Sequence, residues 1–442
     1  MDLFELEYFS ILDFGLSILF LMLLFIRINK RKKENQQLDY YKYYSLNIYT
    51  KLILSVVFSL YYIVIVDGGD TLAYWDSAVK MNNLFWKSPS LYFQELFSNP
   101  KLENCYAHFD MIIGYPPRWI YFEKESWFVA KILSILSFIT FKSYLFTTLL
   151  LAYISSIASW KLFELVHSYQ LNTDKNIALA VLFIPSVSFW CSGITKDTVV
   201  LFTSIFTIYH SFQLITPTKK RSYKNIIWLA LYLLILSQIR SFMIIAIAIP
   251  LLLTVGIKIM NTYKNHKKVI YSIRFTVLII GILCIYFQGD KLLNSSQLKD
   301  AAAIQKDMAI NKTYLGVKYD IGMTDFGPIE ILKAFPSAII AGLYRPFIWE
   351  SMHITLILNG LEGVLFLYLT FLFFRRDFIK KLEIIKKHEF YIFCLIFCIL
   401  MAYMSGITAG LLGVLVRFKS ILIPFFVILL TINSKSSIYK IK

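Results

Sequence analysis

Apolar stretches close to the length of a bilayer crossing recur along this chain, and short runs of lysine and arginine punctuate them. Residues 11–26, 52–66 and 198–215 approach the ~20 residues that a helix needs to cross a hydrocarbon core. The chain has 442 residues, 57% hydrophobic and 17% aromatic, with a mean hydropathy of +0.61. A soluble domain of that size carries less apolar sequence. The fold class these features dictate is all-α, a polytopic integral membrane protein. A transmembrane barrel would need alternating strands of about ten residues, and the sequence offers none.

The formal net charge is +17. The basic residues concentrate at 27–33, 219–224, 258–274, 375–387 and 435–442. Cytoplasmic loops collect lysine and arginine, so membrane orientation and anionic headgroups explain this charge, and no nucleic acid is implied. The five cysteines, Cys105, Cys191, Cys284, Cys394 and Cys398, are scattered and imply no disulfide framework. The first apolar run lacks a basic leader and a small-residue cleavage site, and a basic cluster follows it. It reads as a retained first span.

Placing the basic clusters inside orders the rest. The acidic start (Asp2, Glu5, Glu7) lies outside, and a second span returns the chain outward at Asp67. Residues 127–140 are short for a span and carry Lys131, which suits a re-entrant or interfacial helix. The expectation is about eleven crossings in one transmembrane domain over 1–442, with the N-terminus outside and the C-terminus inside. External loops then cover about 67–144 and 288–352, the later half of the second dipping into the membrane. Large external loops suggest an extracytoplasmic substrate. No internal repeat is visible.

Four constellations could carry chemistry, because charge beside apolar sequence is expensive. The first is Asp67-Gly-Gly-Asp70-Thr-Leu-Ala-Tyr74-Trp-Asp76. In a helix that begins at Asp70, Asp70, Tyr74 and Ser77 share a face. A carboxylate there could act as base towards a sugar hydroxyl, and Asp67 with Asp70 could hold a divalent cation. The plain alternative is an N-cap at Asp70. The second is Pro185-Ser-Val-Ser-Phe-Trp190-Cys-Ser-Gly-Ile-Thr-Lys196-Asp197. A lysine at a helix start opposes the helix dipole, which makes Lys196 a phosphate-binding candidate. Pairing with Asp197 or snorkelling to headgroups is its plain alternative.

The third is Tyr344-Arg345-Pro346-Phe-Ile-Trp349-Glu350. Arg345 could meet a phosphate or glycan oxyanion and Glu350 could act as acid or base; alternatively the two pair with each other. His353 reads as a core or interface residue. The fourth is Gly413-Val-Leu-Val-Arg417-Phe-Lys419, and Arg240 has the same character. Clustered cations among apolar helices attract phosphate and diphosphate groups, which arginine grips bidentately. No Walker loop, dinucleotide fingerprint, zinc-type spacing or G-x-S-x-G is present. His108, His167, His210, His266, His353 and His388 are too dispersed for a triad.

At Pro185–Asp197, Arg345-Pro-Phe-x-Trp-Glu350 and Gly413-x-x-Val-Arg417-x-Lys419, the chain resembles bacterial membrane proteins of polysaccharide gene clusters. It is similar to O-antigen polymerases (Wzy-like) and EpsG-like proteins, and more loosely to GT-C glycosyltransferases. The resemblance implies a GT-C-like helical fold. It also implies transfer of a glycan from undecaprenyl diphosphate to another lipid-linked glycan, on the outer face of the inner membrane. Lys196, Asp197, Arg345, Glu350 and Arg417 carry the motif match, with Lys419 where an arginine is expected. Asp67 and Asp70 parallel the first-loop carboxylate of GT-C enzymes. Membrane lipids, the polyprenyl-diphosphate-linked glycan and other polysaccharide export proteins are the implied partners. A flippase for lipid-linked oligosaccharide and a non-catalytic assembly subunit are the competing readings.

Overall fold

The computed structural model describes residues 8–215, 223–262, 316–322, 328–350 and 353–433. The terminal basic cluster 435–442, residues 219–222 and 263–274, Cys284, His266, and positions 288–315, 323–327 and 351–352 of the second loop expected outside lie beyond the described residues. Among the described residues every regular element is a helix, and one isolated bridge pairs Lys318 with Leu411.

Seven helices are long and apolar enough to cross a membrane: Ile11–Glu34, Asp39–Val66, Tyr144–Tyr169, Lys196–Ile215, Ser241–Met260, Ile354–Arg375 and Glu389–Thr408. The pair Leu412–Lys419 and Ile423–Leu430, bent by 64°, makes an eighth if it is one broken span. The architecture is that of a polytopic helical membrane protein. The helix Lys124–Ile139 has 16 residues and is not among the candidate spans. Its Lys131 is buried and donates to the Ser98 carbonyl at 2.7 Å, so it is tied into the first loop.

Local sequence explains the ends of these helices. Ile11–Glu34 opens with a capping box in which Ser10 and Asp13 bond each other's backbone N–H. It closes on Arg31, Lys32 and Lys33, which suit a helix C-terminus. The second span ends in a π-helical turn, Tyr61–Val66, and then reverses through Asp67, Gly68 and Gly69 with φ of 50°, 145° and 90°. Glycine tolerates those angles where other residues strain. The reversal launches the helix Asp70–Lys87.

The chain divides into two compact units. One comprises Met1–Val166 with Val181–Ile244, the other His167–Ala180 with Ile245–Lys442. In the first, Asn47, Lys51, Ser55 and Ser59 recur every fourth residue on one helix and are all buried. That spacing puts a polar stripe on one helix face. In the second, Ala338 and Gly342 of the helix Phe335–Tyr344 meet Ala402 and Gly406 of the helix Glu389–Thr408. A Cβ at either glycine would collide with the facing backbone. Small residues four apart on both helices let the backbones touch, the usual means of helix association in lipid.

Candidate functional site

Two charged clusters stand out, one within each unit. The first begins with the irregular stretch before the helix Lys196–Ile215. Pro185–Trp190 is a single short helix, and residues 191–195 follow without regular structure. Non-helical backbone inside a membrane protein must find partners within the protein. Lys51 Nζ donates to the Val187 carbonyl at 3.2 Å, and Ser192 Oγ donates to that of Ser188. Thr195 Oγ1 donates to Trp190 O at 3.2 Å, Ser155 Oγ to Cys191 O at 2.6 Å, and Thr198 Oγ1 to Gly193 O at 2.7 Å. The hydroxyls of this motif therefore hold its own backbone. Lys51, deep in a candidate span, was not singled out from sequence.

This braced turn delivers Lys196 to two carboxylates. Lys196 Nζ lies 2.5 Å from Glu123 Oε1 and 3.8 Å from Glu125 Oε2. The Lys196 side chain is 10% exposed, those of Glu123 and Glu125 51% and 44%. The other Glu123 oxygen accepts from Ser126 Oγ at 2.5 Å, and Ser126 Oγ is 3.1 Å from the Tyr74 hydroxyl. Lys196 was expected to bind phosphate; here two anions already flank it. They also offset its unfavourable position in the first helical turn. Loss of surrounding water pushes the Glu125 carboxyl above its usual range, against the pull of Lys196 and Arg240. Sequence reasoning missed Glu123 and Glu125. The available signal was the pair Glu123-Lys-Glu125 at the start of a helix in the loop 67–144 that was expected outside, together with a lysine that needed a counterion.

Asp197 and Arg240, expected at a substrate phosphate, instead meet each other. Arg240 Nη2 is 2.7 Å from Asp197 Oδ1, with side chains 5% and 0% exposed. Arg240 occupies the break between Tyr223–Ile239 and Ser241–Thr262, so the pair ties that break to the first turn of Lys196–Ile215. A charge so deeply buried persists only when paired. Tyr74, also expected to touch substrate, is buried and positions Ser126.

Asp70 does begin a helix, but Gly69 occupies the N-cap, so Asp70 is not the cap. Asp67 is exposed and Asp70 half-buried. Among the described residues no group of three or more His, Cys, Asp or Glu side chains could hold a metal ion, Asp67 and Asp70 included.

The second cluster centres on Arg345. The helix Phe335–Tyr344 stops there because the residue before a proline avoids helical backbone; Arg345 has φ −72° and ψ 151°. Its Nη1 donates to Asp320 O at 2.8 Å and its Nε lies 2.9 Å from Glu350 Oε1. The guanidinium also sits over the rings of Tyr319 and Phe347 at 5.3 and 5.9 Å. Glu350 Oε2 accepts from the Phe347 N–H at 2.7 Å. Both Glu350 oxygens are thus engaged, which suits a brace for Arg345 better than an acid or base. Burial pushes the Tyr319 hydroxyl pKa up, so it stays a neutral donor to Gly406 O at 2.9 Å.

Lys419 is fully buried, and its Nζ donates to the Arg345 carbonyl at 2.6 Å. A single carbonyl needs one point donor, which accounts for lysine at this position without any need for an arginine fork. Arg417, two residues earlier, is half-buried. Arg345 keeps 23% of its side chain exposed. No protein-family model, curated protein or solved structure matches this chain.

Proposed function

We propose that this protein is a membrane glycosyltransferase of the polymerase type, GT-C-like in its helical plan. It would join undecaprenyl-diphosphate-linked glycan units on the extracytoplasmic face of the bacterial inner membrane. One observation carries the reading: two half-exposed carboxylates, Glu123 and Glu125, held against the buried Lys196. Glu123 is bound at both oxygens, by Lys196 and Ser126. Glu125 is more loosely tethered and has its pKa raised, which brings a carboxylate closer to the range useful for a base. Glu125 replaces Asp67, Asp70 and Glu350 as the favoured base. The acceptor hydroxyl gives its proton to Glu125 as its oxygen attacks the anomeric carbon. The bond from that carbon to the diphosphate oxygen breaks, and the diphosphate leaves with the electron pair.

Within the second unit, Arg345, lying over two aromatic rings and fixed by Glu350, is a separate candidate for holding a phosphate oxygen. The distribution of basic residues supports the finer topology of about eleven crossings, N-terminus outside and C-terminus inside. The test is direct. Purified protein is incubated with undecaprenyl-diphosphate-linked repeat units and the products are sized. A ladder supports polymerisation, one added unit supports single transfer, and unchanged substrate with folded protein rejects both.

One observation favours transport of the lipid-linked oligosaccharide instead. Lys51 is a fully buried cation within a candidate span, where pumps and transporters place such groups. Lys51→Met separates the readings. A transporter would lose flux in a vesicle translocation assay, whereas a polymerase in which Lys51 only braces the Val187 turn would keep its product pattern.

A further inference from the structure

The second unit contains a cleft of about 280 Å³ lined by none of the residues of its Arg345 cluster. It lies where the helix Ser241–Thr262 ends and the helix Glu389–Thr408 begins. Both helices contain candidate membrane spans, so these ends lie at the level of lipid headgroups. The polar part of the wall is Lys258, Lys386, Lys387 and Glu389, with Thr262. Three lysines face one carboxylate, and Lys258 Nζ stands 3.3 Å from Glu389 Oε1. The remaining wall is apolar. Ile257 precedes Lys258, and Ile392 lies about one turn further into its span than Glu389.

The helix Phe378–Lys387 leads into this cleft and is built to lie along a membrane surface. Ile384 and Ile385 are buried in the protein, while Phe374 just before the helix and Ile379 within it are 59% and 73% exposed. Lys381 is buried, donates to Phe373 O at 3.3 Å and sits 4.9 Å from the Phe373 ring centre, which pins the helix. Lys380 and Lys386 remain exposed. Apolar side chains beside exposed lysines are the pattern of an interfacial helix.

We propose that this cleft binds an anionic phospholipid, its phosphate among Lys258, Lys386 and Lys387 and an acyl chain along Ile257 and Ile392. Basic clefts between membrane helices capture such headgroups. The division of the wall into a cationic rim and an apolar floor matches a lipid; a free phosphate ion would use only the rim. This proposal is independent of the glycosyltransferase reading.

The test uses the full chain in nanodiscs of phosphatidylcholine alone or with added phosphatidylglycerol, followed by native mass spectrometry of retained lipid. Phosphatidylglycerol is expected to be retained roughly tenfold or more over its share of the bilayer. The triple variant Lys258→Gln/Lys386→Gln/Lys387→Gln should lose that enrichment, and the matching triple arginine variant should keep it. Melting in neutral nanodiscs checks folding. If the triple glutamine variant fails that check, the exposed pair Lys386→Gln/Lys387→Gln gives the same readout. Equal retention of both lipids, or enrichment that survives loss of the lysines, overturns the proposal. Displacement of the bound lipid by inorganic phosphate would assign the rim to a free ion and overturn it as well.

Discussion

Lys196 shows why a charge near a helix start has to be read with its neighbours. Alone it opposes the helix dipole, and the sequence offers a phosphate as the natural partner. Glu123 and Glu125 fill that place. The pKa of Glu125 sets a pH dependence whose sign can be worked out. A carboxyl held above its unfolded value favours the protonated folded state, so its contribution to stability is full below the unfolded pKa. That contribution is lost as pH rises through the folded pKa. Ionised Glu125 therefore weakens the fold near neutral pH. Glu125→Gln is expected to hold or raise the melting temperature near neutral pH while removing activity. In the unaltered protein, activity should rise with pH through the raised Glu125 pKa, because a base works deprotonated. Lys196→Met should push that rising limb to higher pH, visible in a pH–rate profile. The Arg240–Asp197 pair matters through burial. Arg240→Met alone strands a buried carboxylate and should cost roughly 3–5 kcal/mol in denaturant unfolding. Arg240→Met with Asp197→Leu should recover much of that loss.

At the scale of elements, two devices govern how the helices meet. The stretch 185–198 holds its carbonyls with Ser, Thr and Lys51 side chains. This is why its hydroxyl-rich sequence looks like a binding motif when read in one dimension. The helix Phe335–Tyr344 approaches Glu389–Thr408 backbone to backbone through Gly342 and Gly406. Gly342→Leu should force them apart and cost roughly 1–3 kcal/mol or more, read as a lowered melting temperature in detergent. Gly413 has open space around a Cβ, so Gly413→Ala should change that temperature little. Much of this scale was legible in the sequence. The helix at Asp70, the stop at Arg345 before proline and the short helix at Lys124–Ile139 all follow from local rules. The pairing of Arg240 with Asp197, 43 positions apart by their residue numbers, does not. Nor does the pairing of Lys196 with Glu123, because helical spacing specifies only near neighbours.

For the whole molecule, hydropathy made the membrane class plain, since long apolar helices have few other solutions. The division into two compact units was not visible, because no linker or change in composition marks it. The orientation of the chain has its own readout. In a cell, Lys124→Cys should react with a membrane-impermeant maleimide without permeabilisation, since Lys124 is exposed beside Glu123 and Glu125. The deciding measurement remains the product pattern of Glu125→Gln on undecaprenyl-diphosphate-linked repeat units, run beside the unaltered protein. The expected result is a ladder from the unaltered chain and none from the variant at an equal or higher melting temperature. A full ladder from Glu125→Gln would contradict the assignment of that carboxylate as the base.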